Sequence, residues 1–212
     1  MSTIMKDNLS YLLSTIEFAA NVEAGKDTLD NCESEILKQQ PKWQSYVEQQ
    51  RELLQDAIKV FKQYDKSDDL KYFWQLLKTK NTDFNEGIFK QLMQIALRVY
   101  DRGTLEDAYK MFSFISTYYP KHYKVYLYLG SVVQSLYGAE AAATFFKTMT
   151  PIFPEPDLLF LAAENEMQRE NTVGARDYLQ KAADIFSKRG DLSEDEAGLK
   201  VRIEELMKLL NS

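Results

Sequence analysis

The chain has 212 residues with only eight Gly and five Pro, about half of what average usage near 7% and 5% would supply, while 27% of residues are charged and 45% hydrophobic. Few turn-formers in so charged a chain point to long helices and exclude a sandwich or barrel. A net charge of −6 excludes a nucleic-acid backbone as the expected partner, and a single cysteine (Cys32) with a single histidine (His122) excludes a disulfide framework and a His-based metal cage or triad.

In chain order, residues 1–25 form a first expected helix, with Leu9, Leu12, Leu13, Ile16 and Ala20 on one stripe and Gly25 as its stop. A weaker segment over 27–40 has only Leu29, Cys32, Ile36 and Leu37 as anchors. Pro41 restarts the chain as a first-turn proline, and Trp43, Tyr46, Val47, Leu54, Ala57, Ile58, Phe61 and Tyr64 mark a helix of about six turns. The polar run from Asp65 to Asp69 is a boundary, so 1–65 reads as a helical extension and 66–212 as the main domain. Burying Trp43, Tyr46 and Phe61 requires the 43–64 helix to pack, either on the first helix pair of the main domain or on a second protomer. A short helix is expected over 70–79, then a polar break from Asn81 to Asn85.

The rest of the chain repeats. Frames starting at Phe89, Tyr123 and Pro156 are offset by 34 and 33 residues. The second reads Tyr126-x-x-Leu129-Gly130-x-x-Val133, then Ala142-x-x-x-Phe146 and Pro154. The first supplies Leu92, Ile95, Ala96, Val99, Ala108, Phe112 and Pro120, and the third Leu159, Ala162, Ala163, Ala175, Leu179 and Ala182. This is the tetratricopeptide pattern, and it predicts an all-α solenoid of three helix pairs near 89–122, 123–155 and 156–188. Small residues at the eighth and twentieth positions of each frame let paired helices approach, and large ones at the twenty-fourth fill the space beside them. Arg102-Gly103 and Tyr137-Gly138 fall at the turns inside the pairs, where glycine can take a positive φ. Pro120 and Pro154 stop the second helices. A last helix over 194–210, opened by a Ser193/Glu196 capping box, is expected to cap the stack with Val201, Leu206, Leu209 and Leu210 as its apolar face.

In stacked pairs the first helices line the concave side. The second, fifth, ninth and twelfth positions of each frame then point into a groove: Lys90, Met93, Leu97 and Tyr100; Lys124, Leu127, Ser131 and Gln134; Asp157, Phe160, Glu164 and Met167. Its centre is apolar, and Met and Tyr suit an adaptable surface for an extended peptide. The competing reading is that some of these side chains complete the core. A clamp for a C-terminal carboxylate needs Lys or Arg beside Asn, and Leu97 and Ser131 stand at the ninth positions instead.

Nothing in the sequence points to an enzyme. It has no Gly-rich phosphate loop, nucleophile elbow or metal-ligand spacing, and no cofactor is expected. His122, in the turn after Pro120, is expected to be solvated, and Cys32 lacks a nearby basic partner that would activate it. Glu194-Asp195-Glu196 fits a helix start better than a calcium loop. No stretch approaches the roughly 20 apolar residues of a spanning helix, and the start of the chain lacks a secretory signal's apolar centre, so a cytoplasmic location is expected.

Continuous blocks carry a more specific likeness: Leu92 to Leu97, Tyr100-Asp101-Arg102-Gly103-Thr104-Leu105-Glu106-Asp107-Ala108, Tyr126 to Gly130, and Phe160-Leu161-Ala162-Ala163-Glu164 after the Pro154-Glu155-Pro156 turn. Over 70–188 the chain resembles the class II chaperones of bacterial type III secretion, the translocator chaperones. The resemblance implies an acidic cytosolic chaperone that holds pore-forming translocators partly unfolded before export. It also implies a cargo groove on Met93, Leu97, Tyr100, Leu127, Phe160 and Met167, and a homodimer formed through the 70–79 helix. Such chaperones take a short extended segment with proline and hydrophobic anchors, which loses little conformational entropy on docking. A gatekeeper or regulatory cargo of the same secretion system, or a general scaffold role between folded partners, are the alternatives. Residues 1–65 have no counterpart in the short members of that family.

Overall fold

The computed structural model describes residues 41–65 and 86–211. The expectations for 1–40, including Cys32, and for the 70–79 helix lie outside the described residues. All regular structure among the described residues is helical: α1 (Pro41–Tyr64), α2 (Glu86–Arg102), α3 (Leu105–Tyr118), α4 (Tyr123–Tyr137), α5 (Ala139–Ile152), α6 (Pro156–Gln168), α7 (Thr172–Lys188) and α8 (Glu194–Asn211). The described residues fall into two compact units, 41–65 with 86–125, and 126–211.

In the first unit α1 lies along α3, with a smaller contact to α2. Around Phe61 the helix packs on the first repeat pair, one of the two expected arrangements, while the Trp43 and Tyr46 side chains lie outside the described residues. Ala57, Val60 and Phe61 are buried, and the Phe61 ring meets Phe114 of α3 at 5.4 Å between centroids. Sandwiched in this way, α3 is buried without a break from Met111 to Ser116, polar residues included. The Ser116 hydroxyl, out of reach of water, donates to the Ser113 carbonyl at 2.8 Å, which offsets its desolvation. Thr104 caps α3 by accepting from the Asp107 N–H at 3.1 Å.

The turns fall where the frames place them, with one correction. Gly138 has φ 84°, a left-handed conformation that favours glycine, but Gly103 does not have a positive φ. Gly103 is required by close approach instead, since a Cβ there would lie 2.8 Å from both the carbonyl oxygen and a methyl of Val99. Pro120 follows the end of α3, and α5 ends at Ile152 with Pro151 inside its last turn, two residues before Phe153-Pro154.

In the second unit the close approach is at Gly130. A Cβ on this α4 residue would sit 2.6 Å from the Phe146 ring of α5 and 3.1 Å from Phe145. Both rings are buried, so neither has room to retreat. Ala142, Ala163 and Ala175 are fully buried at their frame positions, as are Ala96 and Ala108 in the first unit. At the end of the chain Leu159, Phe160, Ala163, Leu179, Ala182 and Phe186 form a core closed by Ile203 of α8.

The capping box exists: the Ser193 N–H and hydroxyl donate to Glu196 at 2.9 and 3.0 Å, and the Glu196 N–H donates back to the hydroxyl at 3.3 Å. The apolar face of α8 differs from the expected one. Val201 and Leu209 are 53% and 67% exposed, and Leu199, Ile203, Leu206, Met207 and Leu210 do the packing. These five recur at i, i+4, i+7, i+8 and i+11, which is the stripe a single partner surface can cover.

Candidate functional site

The residues expected to line a groove belong to three helices, α2, α4 and α6. In the first unit, Lys90 and Lys124 are exposed, Leu97 and Tyr100 are half-buried, and Met93 is 7% exposed. Tyr100 projects from the last turns of α2 with its ring edge-on to Phe112 at 6.3 Å. This is a favourable geometry for aromatic pairs, and it holds the ring at the edge of the core while leaving part of it accessible.

In the second unit Leu127, Ser131 and Gln134 are all half-buried on α4. The Ser131 hydroxyl donates to the Leu127 carbonyl at 3.1 Å, which turns its polar end back onto its own helix. Gln134 donates through Nε2 to the Gln168 side chain at 2.8 Å, a bond 34 residues apart, one repeat length. On α6, Glu164 and Met167 are half-buried and share a face with Phe160. Phe160 is only 4% exposed: it belongs to the terminal core, and the Arg202 guanidinium of α8 lies over its ring at 4.7 Å from the centroid. Arg202 also approaches Glu164 at 3.4 Å. Burial raises the Glu164 carboxyl above its ordinary value, and the Arg202 charge works against that rise.

Two clusters that the frames did not reveal set the shape of this end. The Arg169 guanidinium donates to both oxygens of Glu166 at 2.8 Å and to both oxygens of Glu140 at 2.9 Å, tying α6 to α5. Asn171 donates to Glu166 at 2.6 Å and caps α7 by accepting from the Gly174 N–H at 3.1 Å. Between them Glu170 takes φ 59°, a left-handed conformation uncommon outside glycine. The sequence signal was present in Glu166-x-x-Arg169 with an Asn cap two residues on. Arg189 makes the second cluster, bridging Glu155 at 2.8 Å and Glu196 at 2.6 Å.

His122 is more engaged than expected. Its ring stacks on Phe89 at 3.9 Å and lies 3.6 Å from the Glu86 carboxylate. Tyr119, also against Phe89, has its hydroxyl pushed up to about 12 by burial and by the Glu86 charge. Among the described residues no group of three or more His, Cys, Asp or Glu could hold a metal ion, and no helix is long and apolar enough to cross a membrane.

No protein-family model matches the sequence, and no curated protein matches it. Solved structures do match the fold. PcrH from Pseudomonas aeruginosa aligns with a TM-score of 0.53 at 22% identity, over 61% of this chain and 96% of that one. SycD, the type III secretion translocator chaperone of Yersinia enterocolitica, aligns with a TM-score of 0.53 at 20% identity, over 63% of this chain and 96% of that one. The complex of SycD with a peptide of the translocator YopD gives a TM-score of 0.52 at 21% identity, over 61% and 96% of the two chains. At these identities the likeness shows a shared all-helical fold.

Proposed function

We propose that this chain is a cytoplasmic chaperone of a bacterial type III secretion system, of the translocator class. It binds an extended hydrophobic segment of a pore-forming cargo on the first helices of its three pairs. The observation that carries the reading is the fold match, which takes in almost the whole length of chaperones of that class, one of them with a translocator peptide bound. The blocks around Tyr100, Tyr126 and Phe160 point the same way from sequence. The proposed contact residues are Met93, Leu97 and Tyr100 on α2, Leu127, Ser131 and Gln134 on α4, and Phe160, Glu164 and Met167 on α6. Covering the cargo's apolar stretches keeps it from aggregating or inserting early. The role is binding, with no bond made or broken.

The proposed organisation is a repeat domain from residue 66 onward with the first 65 residues as an extension. The matches cover 61–63% of this chain and leave nearly two-fifths of it without a counterpart, which favours a cargo or an assembly particular to this protein. The test is purification of the tagged full chain from its native cell, with mass spectrometry of the proteins that copurify. A partner carrying long hydrophobic stretches is the expected result. A secretion gatekeeper in its place would shift the cargo class, and soluble folded enzymes alone would overturn the chaperone role.

A further inference from the structure

Phe160, Glu164 and Met167 share one face of α6, yet only the latter two are open to solvent. Phe160 packs into the terminal core, and one face of its ring is met by Arg202. The Arg202 side chain is 63% exposed, and its guanidinium lies over the Phe160 ring at 4.7 Å from the centroid while approaching Glu164 at a single long distance of 3.4 Å. Both of its attachments are of the weak kind, a cation over an aromatic face near the surface and an exposed ion pair. The helix that bears it is firmly held, by fully buried Ile203, by the capping box at Ser193, by Arg189, and by the Arg176 guanidinium donating to the Leu210 carbonyl. The backbone therefore stays while the side chain can turn.

We infer that Arg202 is a side-chain gate over the third-pair end of the binding surface: it shields Phe160, and it swings aside when an apolar anchor of a bound segment takes its place. This rests on the proposed peptide-binding role. Turning one exposed arginine is fast compared with protein association, so the gate filters by chemistry. An apolar anchor gains the Phe160 face, and a basic one meets Arg202 as a like charge. The closed gate also lowers apparent affinity by the fraction of time that the site is covered.

The test uses the full chain with two probes: a fluorescein-labelled, otherwise uncharged twelve-residue peptide of Val, Pro and Leu read by anisotropy, and the uncharged dye Nile red. Arg202→Ala is expected to bind more dye and to bind the peptide about fivefold tighter, through faster association. Glu164→Gln should give part of that gain, and added salt should narrow the gap between the native chain and Arg202→Ala. Circular dichroism should show both variants folded, since Arg202 is mostly exposed. Leu127→Asp reads the binding surface itself. If it abolishes peptide binding while Arg202→Ala changes neither probe, the gate is wrong and the surface stands. If Arg202→Ala gains dye but Leu127→Asp leaves peptide binding intact, Phe160 is shielded as inferred and the peptide-binding reading fails. A peptide affinity that falls in Arg202→Ala also overturns the gate.

Discussion

The two units share buried small residues and ring contacts, and they differ in how far charge is used to join helices. In the first, rings carry the contacts between helices: Phe61 on Phe114, Tyr100 on Phe112, Phe89 on Tyr119 and His122. In the second, small residues bring helices close and guanidinium groups tie them, through Arg169 to Glu140 and Glu166, Arg189 to Glu155 and Glu196, and Arg202 to Glu164. Ring packing is dry and little affected by ionic strength, whereas charged ties at helix ends respond to pH and ionic strength. One repeat pattern thus permits two ways of holding neighbouring helices, and in the charged one Arg202 stands over Phe160, one of the proposed contact residues.

Four substitutions break or sharpen that contrast. The largest effect should come from Phe61→Ala, which removes a fully buried ring between α1 and α3 and should cost about 3–5 kcal/mol in urea unfolding. A cost under about 1 kcal/mol would mean that α1 is not part of the first unit's core. Next is Gly130→Val, which drives a branched side chain into two buried rings and should cost about 3 kcal/mol, with Gly130→Ala milder. Third, Arg169→Met strips the cationic partner from Glu166, whose side chain is 9% exposed and keeps only its bond from Asn171, and should cost about 2 kcal/mol. Adding Glu166→Met to that variant should recover much of the loss, and failure to recover would show that the pair is not what matters there.

The smallest effect concerns α8. Ser193→Ala should cost about 1 kcal/mol by removing the helix cap. The Ser193 N–H and hydroxyl, with Arg189, hold the Glu196 carboxyl below its ordinary value. A depressed carboxyl contributes stability above the ordinary glutamate range, and that stability is lost as pH falls through the lowered value. The protection of α8 amides relative to their intrinsic exchange rate should therefore fall on acidification before that of α6 does, and less so in Ser193→Ala. Equal sensitivity in both chains would show that the capping box does not hold α8.

Much of the fold was legible because the repeat fixes it locally. Ala96, Ala108, Gly130, Ala142, Ala163 and Ala175 stand at positions where only a small residue lets helices touch, and each is buried as the frames require. Ser193 announces a helix start by chemistry that acts within one turn. The illegible part depends on partners far along the chain. The α8 sequence carries apolar residues beyond the stripe that packs, Val201 and Leu209 among them, and only the terminal core decides that Ile203 is buried and Leu209 is not. Phe160 looked like an open anchor because its frame position says so, while the residue that covers it lies 42 positions away. His122 looked solvated because no local pattern foretells a stack on Phe89. Phe160→Ala is accordingly a poor probe of binding, since it also opens the terminal core.

The most direct test of the proposed cargo surface is amide hydrogen exchange on the full chain, alone and with the cargo purified alongside it. New protection is expected on α2 around Leu97 and Tyr100, on α4 around Leu127 and Ser131, and on α6 around Glu164 and Met167, with α3 and α7 unchanged. Protection confined to α7 and the outer side of α8, with α2, α4 and α6 exchanging as before, would contradict it.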